Sequence, residues 1–263
     1  MNWELLFDPL FRLPFLTGLL VSAVLPLLGL LLRLRDEWLA ALGLAHLAGF
    51  GALLGLSLGL PVFAGAALAA AGGVLVRTWA ADRGNSAYAM MMLFGWSATL
   101  VVATNTPLGS AMGHALVEGQ LYFAGAGHLA VAVVMALAVA VMLPRIMSGA
   151  VRATLFPETG ATVARANRRT RLALDGLVVL AIAAGSATVG LMAAFALVFL
   201  PPWLAFRVAR SWRQALWLAP AVGVSAFVLA FVLAVALDQP FAPVQVAVLL
   251  LFAMLGGWVA RSG

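Results

Sequence analysis

Long apolar runs alternate with short polar clusters along the whole chain, and the charged residues gather in the clusters. A run of about twenty apolar residues lets a helix cross a hydrocarbon core of about 30 Å. The pattern predicts spans over Pro14–Leu34, Trp38–Leu60, Val62–Trp79, Ala87–Ala103, Leu129–Leu143, Leu216–Leu237 and Val244–Ala260. Leu172–Phe206 reads as one apolar run too long for a single straight span. Gly185, Ser186, Gly190 and the pair Pro201-Pro202 divide it into 172–186 and 190–206, or into a broken, re-entrant element. Nine apolar segments leave no room for a soluble domain, so residues 1–263 read as one all-α, polytopic transmembrane domain.

Composition agrees with the pattern. The chain is 65% apolar and 9% charged, with a mean hydropathy of +1.10, far outside the globular range. Glu4 and Asp8 precede the first segment where a leader would be basic, so an uncleaved first span is expected. Cysteine is absent, which removes thiolate ligands and disulfides.

All 15 basic residues are arginine, and the isoelectric point near 11.4 suggests nucleic acid at first sight. Their placement says otherwise. Arg33 and Arg35 follow the first span, Arg77 and Arg83 the third, and Arg145 the fifth. Arg207, Arg210 and Arg213 follow the seventh, and Arg261 the last. Every second joint is basic and only Arg12 breaks the alternation. This is the positive-inside pattern of a multi-pass protein of the cytoplasmic membrane, with its N-terminus outside and its C-terminus inside.

Little chemistry interrupts the apolar segments. His46, in the middle of the second span, is the one ionisable side chain placed at mid-membrane, where such groups are often functional. At about 100° per residue Gly43 and Gly49 share its face and leave room beside the ring, while Gly51, Gly55 and Gly59 form a small-residue stripe on the opposite face. A histidine donating one hydrogen bond across a helix interface is the simpler reading. Met90, Met91 and Met92 point in different helical directions and cannot line one site together, which favours adaptable packing over a soft-metal site. In the long outer connection, His114 and Glu118 lie at i and i+4, with His128 just beyond. They are candidate ligands for a divalent cation at an outer mouth, or simply parts of a solvated loop. Arg145–Arg171 is the one long inner loop, and ANRRTRLAL reads as a short helix on the inner membrane surface. That helix either meets lipid headgroups or docks a cytoplasmic partner.

The HExxH motif is absent, and so is the phosphate-binding GxxxxGK[ST] loop. No enzymatic activity and no permanently bound cofactor are expected. The interior lacks the paired acids and histidines of a proton relay, so uphill transport would draw on an energising partner.

Three stretches resemble the permease subunit of bacterial metal-ion ABC importers, the zinc, manganese and iron type. LGLAHLAGFGALLG is similar to the family's Gly-Asp-x-Leu-Ala-His segment, with Leu44, Ala45 and His46 in step. GSATVGLMAAFALVFLPPWLAFRVAR resembles a run ending in Pro-Ala-Ala-Thr-Ala-Arg, with Gly190, Pro201, Ala205 and Arg207 in step. Gly119 and Leu121 are similar to part of a Leu-Phe-Gly-Asp-Leu-Leu segment. The resemblance implies a homodimer or paired permeases, a cytoplasmic ABC ATPase, an extracytoplasmic solute-binding protein and a transition-metal cargo that touches His46. With the length and inner position of the 145–171 loop, it points to Phe156, Pro157 and Glu158 as the ATPase-coupling contact. The chain departs from the family where Leu42 replaces the aspartate before the histidine and where Gln120 follows Gly119. The family's polar residues in the fourth span are also replaced, near Tyr88–Met92. A hard dication needs anionic ligands or several neutral ones, so a softer metal, a metal chelate or an organic solute enters as alternative cargo. A non-transporting membrane scaffold subunit is the alternative from outside transport.

Overall fold

The computed structural model describes residues 9–79, 84–106, 121–155 and 161–262, and of 78–79, 148–155, 161–171 and 259–262 the backbone alone. Among the described residues every long element is an α-helix. They are α1 (Arg12–Leu34), α2 (Ala40–Ser57), α3 (Val62–Trp79), α4 (Asn85–Asn105) and α5 (Ala126–Leu155). There follow α6 (Ala161–Thr188), α7 (Leu191–Val208), α8 (Trp212–Leu237) and α9 (Phe241–Ser262), with short 3-10 turns at Pro9–Phe11 and Leu121–Phe123. Seven of these helices are long and apolar enough to cross a membrane, and Val62–Arg77 and Leu172–Thr188 are shorter apolar helices.

Helix α1 packs against α5, α6, α7 and α8, and α2 against α3, α4, α6 and α7. α9 lies against α7 and α8. α1 and α2 are the most buried of the long spans, and α4 and α5 the least. The outer face of α4 shows Met90, Leu93, Phe94, Leu100 and Val101, side chains suited to a hydrocarbon surrounding. Met91 is buried while Met90 is exposed, so the methionine run does not converge on one point.

Three helix ends share one device. At the end of α1 Asp36 adopts φ 53°, and Asp36 and Glu37 donate their amides to the carbonyls of Arg33 and Leu32. A left-handed residue closed by this bond pair is a Schellman turn, and a short polar side chain tolerates it better than a bulky one. Asp238, at φ 53°, ends α8 with the Gln239 amide on the Ala234 carbonyl, and Pro240 follows. Gly59, at φ 76°, ends α2, and Pro61 follows it. The expected stripe is therefore only Gly51 and Gly55. A Cβ on Gly51 would collide with the backbone of Gly65 in α3, whereas nothing lies within 4 Å of a Cβ on Gly59.

Two expected joints differ. Gly190 does break the long run, at φ 94° and ψ 157°, a region open essentially to glycine. Pro201 and Pro202 do not. Both are buried inside α7, which continues to Val208. Pro144 likewise sits inside α5, which runs to Leu155, and α6 starts at Ala161. Much of the stretch read as the 145–171 loop is thus helical, and ANRRTRLAL forms the first turns of α6 and not a separate surface helix. In apolar surroundings a lost amide leaves the helix the best use of the remaining backbone groups.

Candidate functional site

His46 lies midway along α2 and is 3% exposed. Its Nδ1 is 2.8 Å from the carbonyl oxygen of Leu42 in the preceding turn. A carbonyl can only accept, so the proton is assigned to Nδ1 and the lone pair to Nε2. This is the tautomer that presents Nε2 to a ligand. The ring stands at 66° to Trp96 of α4, with centroids 5.8 Å apart.

The surroundings of the ring correct one expectation. Gly43 does not clear space for the imidazole, because a Cβ there would lie 2.5 Å from the carbonyl oxygen of Tyr88 in α4. Gly95 of α4 meets α2 in the same way, since its Cβ would lie 2.6 Å from the His46 carbonyl carbon. Gly43 and Gly95 together bring the backbones of α2 and α4 into contact, as small residues do between membrane helices. Only Leu191 stands near Gly49, with its methyl 3.6 Å from a built Cβ.

His128 occupies the first turn of α5 with its ring 5.2 Å from Phe63, at the start of α3. It sits at a helix end and His46 at a helix middle, and the structure shows no shared site for them. His114, Glu118, Phe156, Pro157 and Glu158 lie outside the described residues, as do Gly119 and Gln120. Among the described residues no group of three His, Cys, Asp or Glu side chains is placed to hold a metal. The phenol of Tyr122, in the turn before α5, is pushed up to about 12 by burial and secondarily by Asp238, so it stays neutral there.

The strongest polar feature is one that the sequence pattern does not reveal. Arg35, Glu37, Arg77 and Asp175 form a four-membered ionic ring that joins the α1–α2 corner, α3 and α6. Arg77 lies 2.7 Å from Asp175 and 3.3 Å from Glu37, and Arg35 lies 2.9 Å from Glu37 and 3.3 Å from Asp175. Arg77 also donates to the Tyr88 hydroxyl and stacks over its ring at 5.1 Å. Glu37, Arg77 and Asp175 are all under 10% exposed. Two positive and two negative charges cancel, which is the condition for keeping ions in apolar surroundings. Asn85 fastens the start of α4 to the same corner, donating to the Asp36 carbonyl at 2.8 Å and accepting from the Leu39 amide at 3.1 Å. Arg35 and Arg77 are therefore structural ions. Asp175 interrupts the run read as apolar, and that lone acid was the available signal.

The fold, the His46 pocket and the ring occupy one helical domain. The model of the ABC 3 transport family matches residues 8–260. The chain belongs to the ABC 3 transport family. Its fold is similar to that of PsaBC from Streptococcus pneumoniae in complex with Fab, with a TM-score of 0.83 at 16% identity over 96% of this chain and 92% of that one. A metal-chelate type ABC transporter in an inward-facing conformation is similar at a TM-score of 0.72 and 16% identity, covering 97% and 90% of the two chains. No curated protein matches the sequence. Membership in the ABC 3 transport family agrees with an integral, multi-pass membrane subunit of all-helical fold.

Proposed function

We propose that the chain is the permease subunit of an ABC importer that moves a transition-metal ion across the cytoplasmic membrane. The observation that carries this is the family match along residues 8–260. His46 supports the metal, because a buried neutral imidazole with its Nε2 lone pair free is a competent ligand for zinc, copper or iron. It needs companions, and a second permease in a homodimer would bring a second His46. A separate ATPase would dock at the arginine-rich end, on the stretch between α5 and α6 that contains Phe156, Pro157 and Glu158. An extracytoplasmic solute-binding protein would deliver cargo at the opposite end, near His114, Glu118 and His128.

A second reading, passage of a metal chelate, is favoured by Leu42 standing where the family has aspartate. A chelate brings its own ligands and asks less of the protein. The similar fold of a metal-chelate type transporter agrees with that cargo.

Proteoliposomes holding the permease with its co-expressed ATPase test both readings. ATP-dependent uptake of free zinc or manganese supports the first. Uptake of a siderophore-bound metal without uptake of the free ion supports the second. Failure to recover an ATPase with the chain, and no uptake of either cargo, would overturn both and leave a scaffold role.

A further inference from the structure

His46 is 3% exposed, yet among the described residues no other helix supplies a hydrogen bond to its ring. What reaches the imidazole from outside α2 is the indole of Trp96 on α4, which stands at 66° to it with centroids 5.8 Å apart. Trp96 is itself 43% exposed. One part of the indole therefore lies against the imidazole while the rest stands on the open face of α4. Leu93 and Leu100, its neighbours at helical spacing, are exposed on that same face.

The backbone makes this meeting unavoidable. A Cβ on Gly95 would lie 2.6 Å from the His46 carbonyl carbon and 2.8 Å from the Leu47 amide nitrogen, so α4 touches α2 beside the histidine. The two residues flanking Gly95 each send a ring to α2. Phe94 meets Phe50 at 5.8 Å, one turn beyond His46, and Trp96 meets His46. Because Gly43 and Gly95 lock the two backbones together, helix separation is a poor route to the imidazole. The movable part is the Trp96 side chain. The indole N–H of Trp212 donates to the Met147 sulfur at 3.2 Å, but that of Trp96 has no hydrogen-bond partner among the described residues. An edge-to-face ring contact is a weak tie, and side chains open to their surroundings change rotamer rapidly.

We propose that Trp96 is a swinging cover for His46. With the indole in the α2–α4 seam the Nε2 lone pair is closed off. A turn of the side chain onto the open face of α4 uncovers it, with no movement of either helix. The opened site offers one neutral imidazole, which suits a borderline or soft cation. This use of the cover rests on the reading of His46 as a cargo ligand; the cover itself does not.

Diethyl pyrocarbonate, a small reagent that acylates the free nitrogen of a neutral imidazole, tests the cover without cargo or ATPase. The full-length permease in detergent at neutral pH receives repeated additions, and each histidine is followed by peptide mass spectrometry. His128, half-buried against Phe63 at a helix end, is the internal reference. In the wild type His46 should react to completion, about tenfold or more slowly than His128, as a group reached only through local opening does. Trp96→Ala should bring His46 close to the His128 rate. Phe94→Ala, which removes the neighbouring ring, should leave His46 slow. The proposal fails if wild-type His46 reacts as fast as His128, or if it never reacts and the indole is a fixed wall. It fails equally if Trp96→Ala leaves His46 slow, or if Phe94→Ala speeds it as much. Should Trp96→Ala not fold, Trp96→Leu takes its place and should speed His46 several-fold; an unchanged rate overturns the proposal. Fast labelling in Trp96→Ala beside normal uptake by His46→Ala would support the cover and remove only the reading of His46 as a cargo ligand.

Discussion

Arg77 near the end of α3 and Asp175 in α6 lie 2.7 Å apart although 98 residues separate them in the chain. Their contact joins the α2–α3–α4 side of the bundle to the helix that leads in from the α5–α6 connection. Removing one partner strands a buried charge, a loss of about 3–5 kcal/mol. Asp175→Asn should therefore lower the thermal midpoint in detergent strongly, and Arg77→Gln should do the same. The double variant should be much less damaged than the sum of the two. Additive losses would show that the pair is not coupled.

Glycines at helix contacts should differ sharply from a glycine in open space. Gly43→Ala and Gly95→Ala force the backbones of α2 and α4 apart, which should destabilise by about 1–3 kcal/mol each. Gly72 in α3 has nothing within 4 Å of a built Cβ. Gly72→Ala should be neutral or stabilising by up to about 1 kcal/mol. Thermal midpoints of the three purified variants decide the comparison.

His46→Ala should abolish ATP-dependent uptake while leaving expression and thermal midpoint close to wild type. The bond from Nδ1 closes within α2, so no partner on another helix is stranded by the change. Leu42→Asp should restore a carboxylate one turn from the imidazole and tighten binding of manganese over copper. Normal uptake by His46→Ala would reduce the histidine to a packing residue against Trp96.

Glu158→Arg should separate ATP hydrolysis from transport, with the permease still folded and still recovered with its ATPase. Coupled turnover at the wild-type ratio would remove Glu158 from the docking contact.

A phosphatase reporter fused after Arg261 should stay inactive, and one fused in the Asp238–Pro240 turn should be active. The reverse pattern would invert the assigned orientation.

The helices were largely legible because apolar length is a one-dimensional property. Val62–Trp79 matches residue for residue, and Gly190 breaks the chain where the glycine pattern places a joint. Pro201-Pro202 misled, since proline ends helices reliably only where water can satisfy the freed carbonyls. The ionic ring was hidden because its bonds span 98 and 140 residues, and periodicity carries no information about pairing at that range. Gly43 shows the same limit at short range. A helical wheel finds the face shared with His46, but it does not say that the Tyr88 backbone fills it.

The ionic ring also has an order of assembly. Ribosomal synthesis delivers Arg35, Glu37 and Arg77 well before Asp175 leaves the exit tunnel. During that interval the three ring members already made, Arg35, Glu37 and Arg77, carry one surplus positive charge. When α6 arrives, Asp175 neutralises that charge within the folded bundle. An arginine made in the first third of the chain thus becomes, some hundred residues later, a fastening between the early and late helices.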